Sequence, residues 1–231
     1  MKVRTNHALI AGRQRLGRYA ALAGLLILIG GLVTSFRWQT PTMIAITYVA
    51  LIVGMILSSI GIYLADKWVQ EPRADQALER AMKGFDDSYR LYNYVLPADH
   101  VLASPYGVMV FTVKRHGETV RYVNGKWKHE QSIFRKLQSL SRERLGDPIR
   151  QMEREVERLA ELLDRELPDA DIPISGAIVF THPDVVLQTD GAPADVLHVK
   201  KLKSYIRRAN KRTGRISDEV LRGLEDALDR D

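Results

Sequence analysis

The chain has 231 residues and no cysteine, which excludes disulfide bonds, thiolate chemistry and any zinc site built on cysteine. Its 34 basic residues outnumber its 28 acidic residues, but the first 65 positions contain six basic residues and no acidic residue. The remainder has 28 of each and is formally neutral, so the basic composition gives no reason to expect nucleic-acid binding by a soluble domain.

Two uncharged apolar runs, residues 19–36 and 43–64, follow a basic N-terminus of residues 1–18. A helix rises about 1.5 Å per residue, so about 20 residues cross a hydrocarbon core about 30 Å thick. Residues 37–41 join the runs and are too few for anything but a turn. We therefore predict a transmembrane hairpin over residues 19–64, with the lipid bilayer as its partner.

The basic residues around the hairpin predict its orientation. Five precede the first run, Arg37 lies in the turn, and Lys67 and Arg73 follow the second run. The positive-inside rule then places both termini and the soluble domain in the cytoplasm, at the inner (plasma) membrane. A cleaved signal peptide is disfavoured because a second apolar run follows the first at once. Small residues are expected to let the two helices pack closely: Gly24, Gly30, Gly31, Gly54 and Gly61.

Beyond a linker of residues 65–72, the pattern predicts an α/β domain over residues 73–210 and a C-terminal helical segment over residues 211–231. A long amphipathic helix is expected over residues 148–167, because Asp147-Pro148 combines an N-cap residue with a proline suited to the first helical position. Strands followed by a long helix and further strands favour a mixed sheet. The other predicted helices cover residues 75–83, 132–140, 202–208 and 217–228, and the strands cover residues 89–95, 101–103, 108–113, 119–123, 174–180 and 196–199.

Asp99 precedes one predicted strand, and Lys114 ends the next strand along the chain. Many nucleases combine acids that hold Mg²⁺ with a lysine that orients the attacking water. The segment from Asp99 to Lys114 resembles the core of the nuclease-related domain (NERD) family, which has the restriction-endonuclease-like PD-(D/E)xK fold. The resemblance implies a metal-dependent phosphodiester hydrolase that acts on DNA.

Two further positions fit the same family pattern. Asp75 stands where the family has a glutamate on its first helix, and Gln151 follows Pro148 as the family's glutamine follows a proline. The resemblance therefore implies catalytic roles for Asp75, Asp99, Lys114 and Gln151, and Mg²⁺ ligation by Asp99 and Asp75.

The chain departs from the family at one position, because Thr112 stands where the family has the glutamate of Glu-x-Lys. A neutral hydroxyl is a poor substitute for a carboxylate on Mg²⁺. Glu118 could take the role only from beyond a predicted turn. We therefore expect a membrane-tethered binding module with lost or reduced nuclease activity. The alternatives are an active Mg²⁺-dependent DNA endonuclease and a membrane domain that binds other membrane or cytoplasmic proteins without nucleic acid.

Residues 200–215 contain eight basic residues and no acidic residue. Such a block is a solvated face that pairs with acidic segments, or a surface for phosphates of nucleic acid or of the inner leaflet. His100 is interpreted as a structural strand residue. The histidines at 116, 129, 182 and 198 lack metal-ligand spacing.

Overall fold

The computed structural model describes residues 1–37, 40–130 and 144–230. The described residues form two compact units, one of residues 7–37 and 40–73 with 144, and one of residues 1–6, 74–130 and 145–230. The helix predicted over residues 132–140 lies outside the described residues.

The first unit contains two long helices, α1 (His7–Arg37) and α2 (Pro41–Trp68). Both are long and apolar enough to cross a membrane. Helix α2 begins at Pro41, which was expected in the turn, with Thr40 as N-cap accepting a hydrogen bond from the Met43 amide. Helix α1 begins at His7, ahead of the apolar run, so part of the basic N-terminus is helical.

Glycines let the two helices approach closely, as predicted for four of the five positions. A Cβ atom added at Gly24 would lie 2.4 Å from Ser58 Oγ, and one added at Gly61 would lie 2.7 Å from Ala21 Cβ. Gly31 and Gly54 also meet the facing helix, whereas Gly30 has no atom within 4 Å of such a Cβ. The antiparallel pair is therefore packed backbone against backbone over most of its length.

The second unit is a mixed α/β domain, which confirms the predicted class. Its larger sheet has the strand order β1-β2-β3-β4-β7-β9, and a smaller sheet has the order β6-β5-β8. The strands are β1 (Lys2–Thr5), β2 (Arg90–Asn93), β3 (His100–Ser104), β4 (Gly107–Lys114), β5 (Thr119–Val123), β6 (Lys126–Glu130), β7 (Ile174–Phe180), β8 (Val186–Gln188) and β9 (Asp195–His198). The helices are α3 (Ala74–Ala81), α4 (Pro148–Glu166), α5 (Leu202–Arg212) and α6 (Asp218–Arg230), with a 3₁₀ turn at Val199–Lys201.

Strand β1 was not predicted, and it changes the boundary of the domain. It pairs in parallel with β2, with Val3 opposite Leu91. Residues that precede the hairpin in the sequence therefore belong to the same sheet as residues that follow it. Strand β8, which pairs in parallel with β5, was also not predicted.

The larger sheet has helices on both faces, and the alternation of side chains along β4 shows which helix covers which face. Met109 and Phe111 share an apolar core with Leu78 of α3 and Leu202 of α5. Val108 and Val110 share the other core with residues of α4 and α6, including Leu159 and Leu224. The side that carries Val108 and Val110 is called the α4 face below.

Helix α4 is fixed on this face by its start and by a glycine beneath it. Asp147 caps its first turn, accepting a hydrogen bond of 3.3 Å from the Arg150 amide. A Cβ atom added at Gly176 of β7 would lie only 2.7 Å from Met152 Cγ. The small residue at Gly176 therefore lets the helix approach the sheet closely.

Candidate functional site

Thr112 and Lys114 lie on the α4 face of the sheet. They continue the alternation of Val108 and Val110 along β4, two residues at a time. Both side chains are buried, with exposed fractions of 1% for Thr112 and 3% for Lys114. A buried lysine beside polar groups at a strand end can offer its charge to an anion without competition from water.

Asp99 lies just ahead of β3, close to the part of the sheet that carries Thr112. Two residues after Asp99, Val101 of β3 pairs with Val110 of β4, and Thr112 follows Val110 by two residues. The backbone carbonyl of Asp99 accepts a hydrogen bond of 2.7 Å from the Tyr94 amide, which fixes the start of β3. The start of β3 therefore brings Asp99 to the same end of this strand pair as Thr112 and Lys114.

Glu155 of α4 completes this group, and sequence reasoning did not identify it. The Thr112 hydroxyl donates a hydrogen bond of 2.8 Å to Glu155 Oε2. The Gln151 side-chain amide donates one of 2.8 Å to Glu155 Oε1. Gln151 and Glu155 are one helical turn apart and project to the same side of α4. Gln151, a predicted site residue, and Thr112, the residue that differs from the family pattern, are therefore joined through the carboxylate of Glu155.

The electrostatics of Glu155 follow from its position between sheet and helix. Burial raises the pKa of its carboxyl, and the hydrogen bonds from Gln151 and Thr112 act against this. The charge of Asp99 raises the pKa further, so these two carboxyls interact electrostatically. Two neighbouring carboxylates on one face repel each other unless a proton or a cation lies between them.

A signal for Glu155 was present in the sequence. The apolar stripe of α4 runs through Met152, Val156 and Leu159, and Glu155 lies within it, three residues after Met152 and four before Leu159. A charged residue within a core-facing stripe is expensive to bury and calls for a partner. The family motif named Gln151 and did not name Glu155, which lies one helical turn later.

Asp75 lies in the first turn of α3 and is buried, with an exposed fraction of 5%. Leu78 of the same helix packs in the core on the sheet face opposite α4. The structure thus places Gln151 and Asp75 on helices that cover opposite faces, and a shared role for them stays a prediction.

The histidines form structural contacts. His100 Nδ1 lies 2.9 Å from Asn93 Oδ1, and the Asn93 amide donates to Thr5 of β1. Rings of His129, His182 and His198 each make a hydrogen bond with a main-chain group. Within residues 1–37, 40–130 and 144–230, no three His, Cys, Asp or Glu residues form a group that could hold a metal ion.

The basic block falls on the 3₁₀ turn, α5 and the segment after it, and α5 covers the sheet face opposite α4. Leu202 and Ile206 of α5 are buried in that core. The outward side of α5 is strongly cationic, and its exposed basic side chains are Arg207, Arg208, Lys211 and Arg212. This cationic side is therefore separated from Glu155 by the thickness of the sheet.

A family model described as a nuclease-related domain matches residues 67–181. The matched segment extends from the end of α2 through β7 and contains Asp99, Thr112, Lys114, Gln151 and Glu155. Comparison with curated proteins and comparison with solved structures give no match.

Proposed function

Because residues 67–181 of this chain belong to the nuclease-related domain family, we propose that it is a membrane-tethered domain that binds nucleic-acid phosphodiesters at the cytoplasmic face of the inner (plasma) membrane, with cleavage lost or strongly reduced. One observation carries the proposal. Lys114 and Thr112 alternate along β4 on the side that α4 covers, and Thr112 and Gln151 both donate hydrogen bonds to the carboxylate of Glu155. An acid, a buried cation and an amide on one face are the groups that bind a phosphodiester through its oxygens.

The donors on the α4 face fit Mg²⁺, the metal that the family resemblance implies. Magnesium takes oxygen ligands and is commonly held by one or two carboxylates, with water and substrate phosphate supplying the rest. Asp99 would hold the ion, which polarises a phosphoryl oxygen when bound. Lys114 would neutralise a non-bridging oxygen of the phosphodiester, and Gln151 would orient it. Thr112 in place of an acid supports weak metal binding and slow cleavage.

Helices α1 and α2 are the proposed membrane tether. Large apolar side chains cover their surfaces, and examples are Leu26 with an exposed fraction of 68% and Val49 with 61%. Such a surface is stable in lipid and unstable in water. The pairing of β1 with β2 adds a topological reason. It requires residues 1–6 and the domain to lie on one side of the membrane, which two crossings provide and a single crossing does not.

The tether can be tested by cysteine labelling, because the chain contains no cysteine of its own. Thr40→Cys marks the turn of the hairpin and Lys126→Cys marks the domain. In intact cells, a membrane-impermeant maleimide should label position 40 and leave position 126 unlabelled until the membrane is opened. Labelling of position 126 in intact cells would overturn the cytoplasmic orientation, and labelling of neither position after opening would indicate buried sites at both.

The binding function can be tested on the full chain in detergent or nanodiscs, since β1 is part of the sheet. Binding of a fluorescent DNA duplex should be sensitive to salt, and Lys114→Met should weaken it about tenfold, because one desolvated cation is lost. The exposed Lys126→Met is the matched control and should change binding by less than twofold. Incubation with Mg²⁺ and with EDTA then measures cleavage.

The outcomes separate the three functions. Salt-sensitive binding with little cleavage supports the proposal. Rapid Mg²⁺-dependent cleavage that Asp99→Asn and Lys114→Met abolish would instead establish the endonuclease. Absence of both binding and cleavage would overturn the proposal in favour of a domain that contacts other proteins.

A further inference from the structure

We propose that Glu155 supplies, from helix α4, the carboxylate that the family carries at the position of Thr112, and forms with Asp99 a site for one divalent cation. This assignment rests on the proposed function, because the family is the reason to expect a cation. It identifies which side chains of this chain would hold the ion in spite of the substitution at Thr112.

The geometry places Glu155 where the missing acid would act. Its Oε2 atom lies 2.8 Å from the Thr112 hydroxyl, so the carboxylate occupies the space directly beyond the side chain of residue 112. A glutamate at position 112 would project its own carboxylate into this same space. Thr112 is short enough to leave that space open and polar enough to bond the group that fills it.

Asp99 lies at the same end of the β3–β4 pair as Thr112. It precedes β3 by one residue, and Val101 of β3 pairs with Val110, two residues before Thr112, while Glu155 contacts Thr112 from helix α4. The charge of Asp99 acts on the carboxyl of Glu155 and raises its pKa. A pair of carboxylates with hydroxyl and amide oxygens beside it is a donor set suited to Mg²⁺ or Mn²⁺.

Burial adds a reason for a cation at this point. Glu155 has an exposed fraction of 3%, and its two hydrogen-bond donors, Thr112 and Gln151, are neutral. Neutral donors balance only part of the desolvation cost of a buried carboxylate, and a divalent cation would add to the charge of Arg158 in balancing the rest. Gln151 also fixes the Oε1 atom, which orients the carboxylate as an outer partner commonly orients a metal ligand.

The experiment uses Mn²⁺ as the probe and the full chain in detergent, with free Mn²⁺ followed by electron paramagnetic resonance. Glu155→Gln keeps the size of the side chain and should weaken Mn²⁺ binding at least tenfold. Glu157→Gln is the matched control on the exposed side of the same helix and should change it less than twofold. The exchange variant Thr112→Glu/Glu155→Gln returns the acid to the strand and should restore affinity to within threefold of the original chain.

The exchange variant also guards against misfolding, because loss of affinity in Glu155→Gln followed by recovery in the double variant cannot come from an unfolded domain. Equal Mn²⁺ affinity of the original chain and Glu155→Gln, with loss in Asp99→Asn, would overturn the role of Glu155 and leave the proposed function standing. Absence of Mn²⁺ binding by the original chain would also overturn it, while DNA binding, measured separately, would still decide the proposed function. Failure of the exchange variant to recover would assign Glu155 a structural role only.

Discussion

Val3 pairs with Leu91 in adjacent parallel strands, although both apolar helices lie between them in the sequence. One edge strand of the sheet therefore comes from the part of the chain that precedes the hairpin. Arg4 of the same strand extends this connection, donating a hydrogen bond of 2.8 Å to the main-chain carbonyl of Asp229. Strand β1 covers the edge of β2, and an uncovered edge offers unpaired main-chain groups to other chains.

A fragment of residues 70–231 should therefore be less stable and more prone to aggregate than the same domain within the full chain. Its β2 strand loses a partner across four paired positions. Adding residues 1–6 back ahead of residue 70 through a long Gly/Ser linker should restore stability. Hydrogen exchange of the β2 amides, followed by mass spectrometry, measures this. Equal protection of β2 in fragment and full chain would contradict the importance of β1.

The hydrogen bond from Thr112 to Glu155 should contribute measurably to the stability of the α4 face. Thr112→Val preserves the shape of the side chain but removes the donor. The buried Oε2 atom of Glu155 then loses a hydrogen bond. We expect a loss of about 1–3 kcal/mol in the free energy of unfolding. Urea unfolding of the full chain in detergent, followed by circular dichroism, gives this quantity.

Thr119→Val provides the comparison for that substitution. Thr119 is a half-buried strand residue of β5, away from Glu155, and its change should stay within about 0.5 kcal/mol. A similar loss in both variants would show that the effect comes from strand threonines in general and not from the bond to Glu155.

Much of the fold was predictable because its signals are local. The N-cap and proline at Asp147-Pro148 start α4 at the expected residue, and the observed helix ends at Glu166, one residue before the predicted end. Alternating and apolar runs located β4, β5 and β7 for the same reason. Strand β1 escaped prediction because its signal is not local. Four residues, Lys2–Thr5, become a strand only by pairing with a segment more than eighty positions away.

The candidate site likewise combines residues that local motifs predict with a residue that only tertiary packing adds. Asp99, Lys114 and Gln151 were named from a motif whose order along the chain is preserved, and the pairing of β3 with β4 brings the start of β3, which Asp99 precedes, to the end of β4 that carries Thr112. Glu155 is 43 positions from Thr112, and only tertiary packing brings them together. Its sequence signal, an acid within an apolar stripe, shows burial but does not identify the partner.

Glu155 should make the stability of the metal-free domain depend on pH. Burial is the largest cause and raises its pKa above the ordinary value of 4.5. The hydrogen bonds from Gln151 and Thr112 lower the pKa, the charge of Asp99 raises it, and the charge of Arg158 lowers it. The folded state therefore holds this proton more tightly than the unfolded state. The resulting stabilisation is complete below the unfolded pKa and is lost as pH rises through the folded pKa.

Glu155→Gln has no such proton to lose, so its stability relative to the original chain should improve as pH rises from about 4.5 towards neutrality. Thermal unfolding in EDTA, measured across this range for both chains, tests the sign. Glu157→Gln, on the exposed side of α4, should give a difference that is nearly independent of pH. A constant difference for Glu155→Gln would show that its carboxyl titrates alike in the folded and unfolded states.

The cationic side of α5 should have no part in phosphodiester binding at the α4 face. Arg208 and Arg212 are exposed on the sheet face opposite α4, and exposed charges farther apart than about 8 Å are largely screened at physiological salt. Arg208→Glu/Arg212→Glu should therefore change DNA affinity less than twofold at 150 mM salt, whereas Lys114→Met should weaken it about tenfold. Fluorescence anisotropy with one DNA duplex compares the variants directly. A larger loss in the α5 variant than in Lys114→Met would move the nucleic-acid surface to α5 and leave the α4 face without that role.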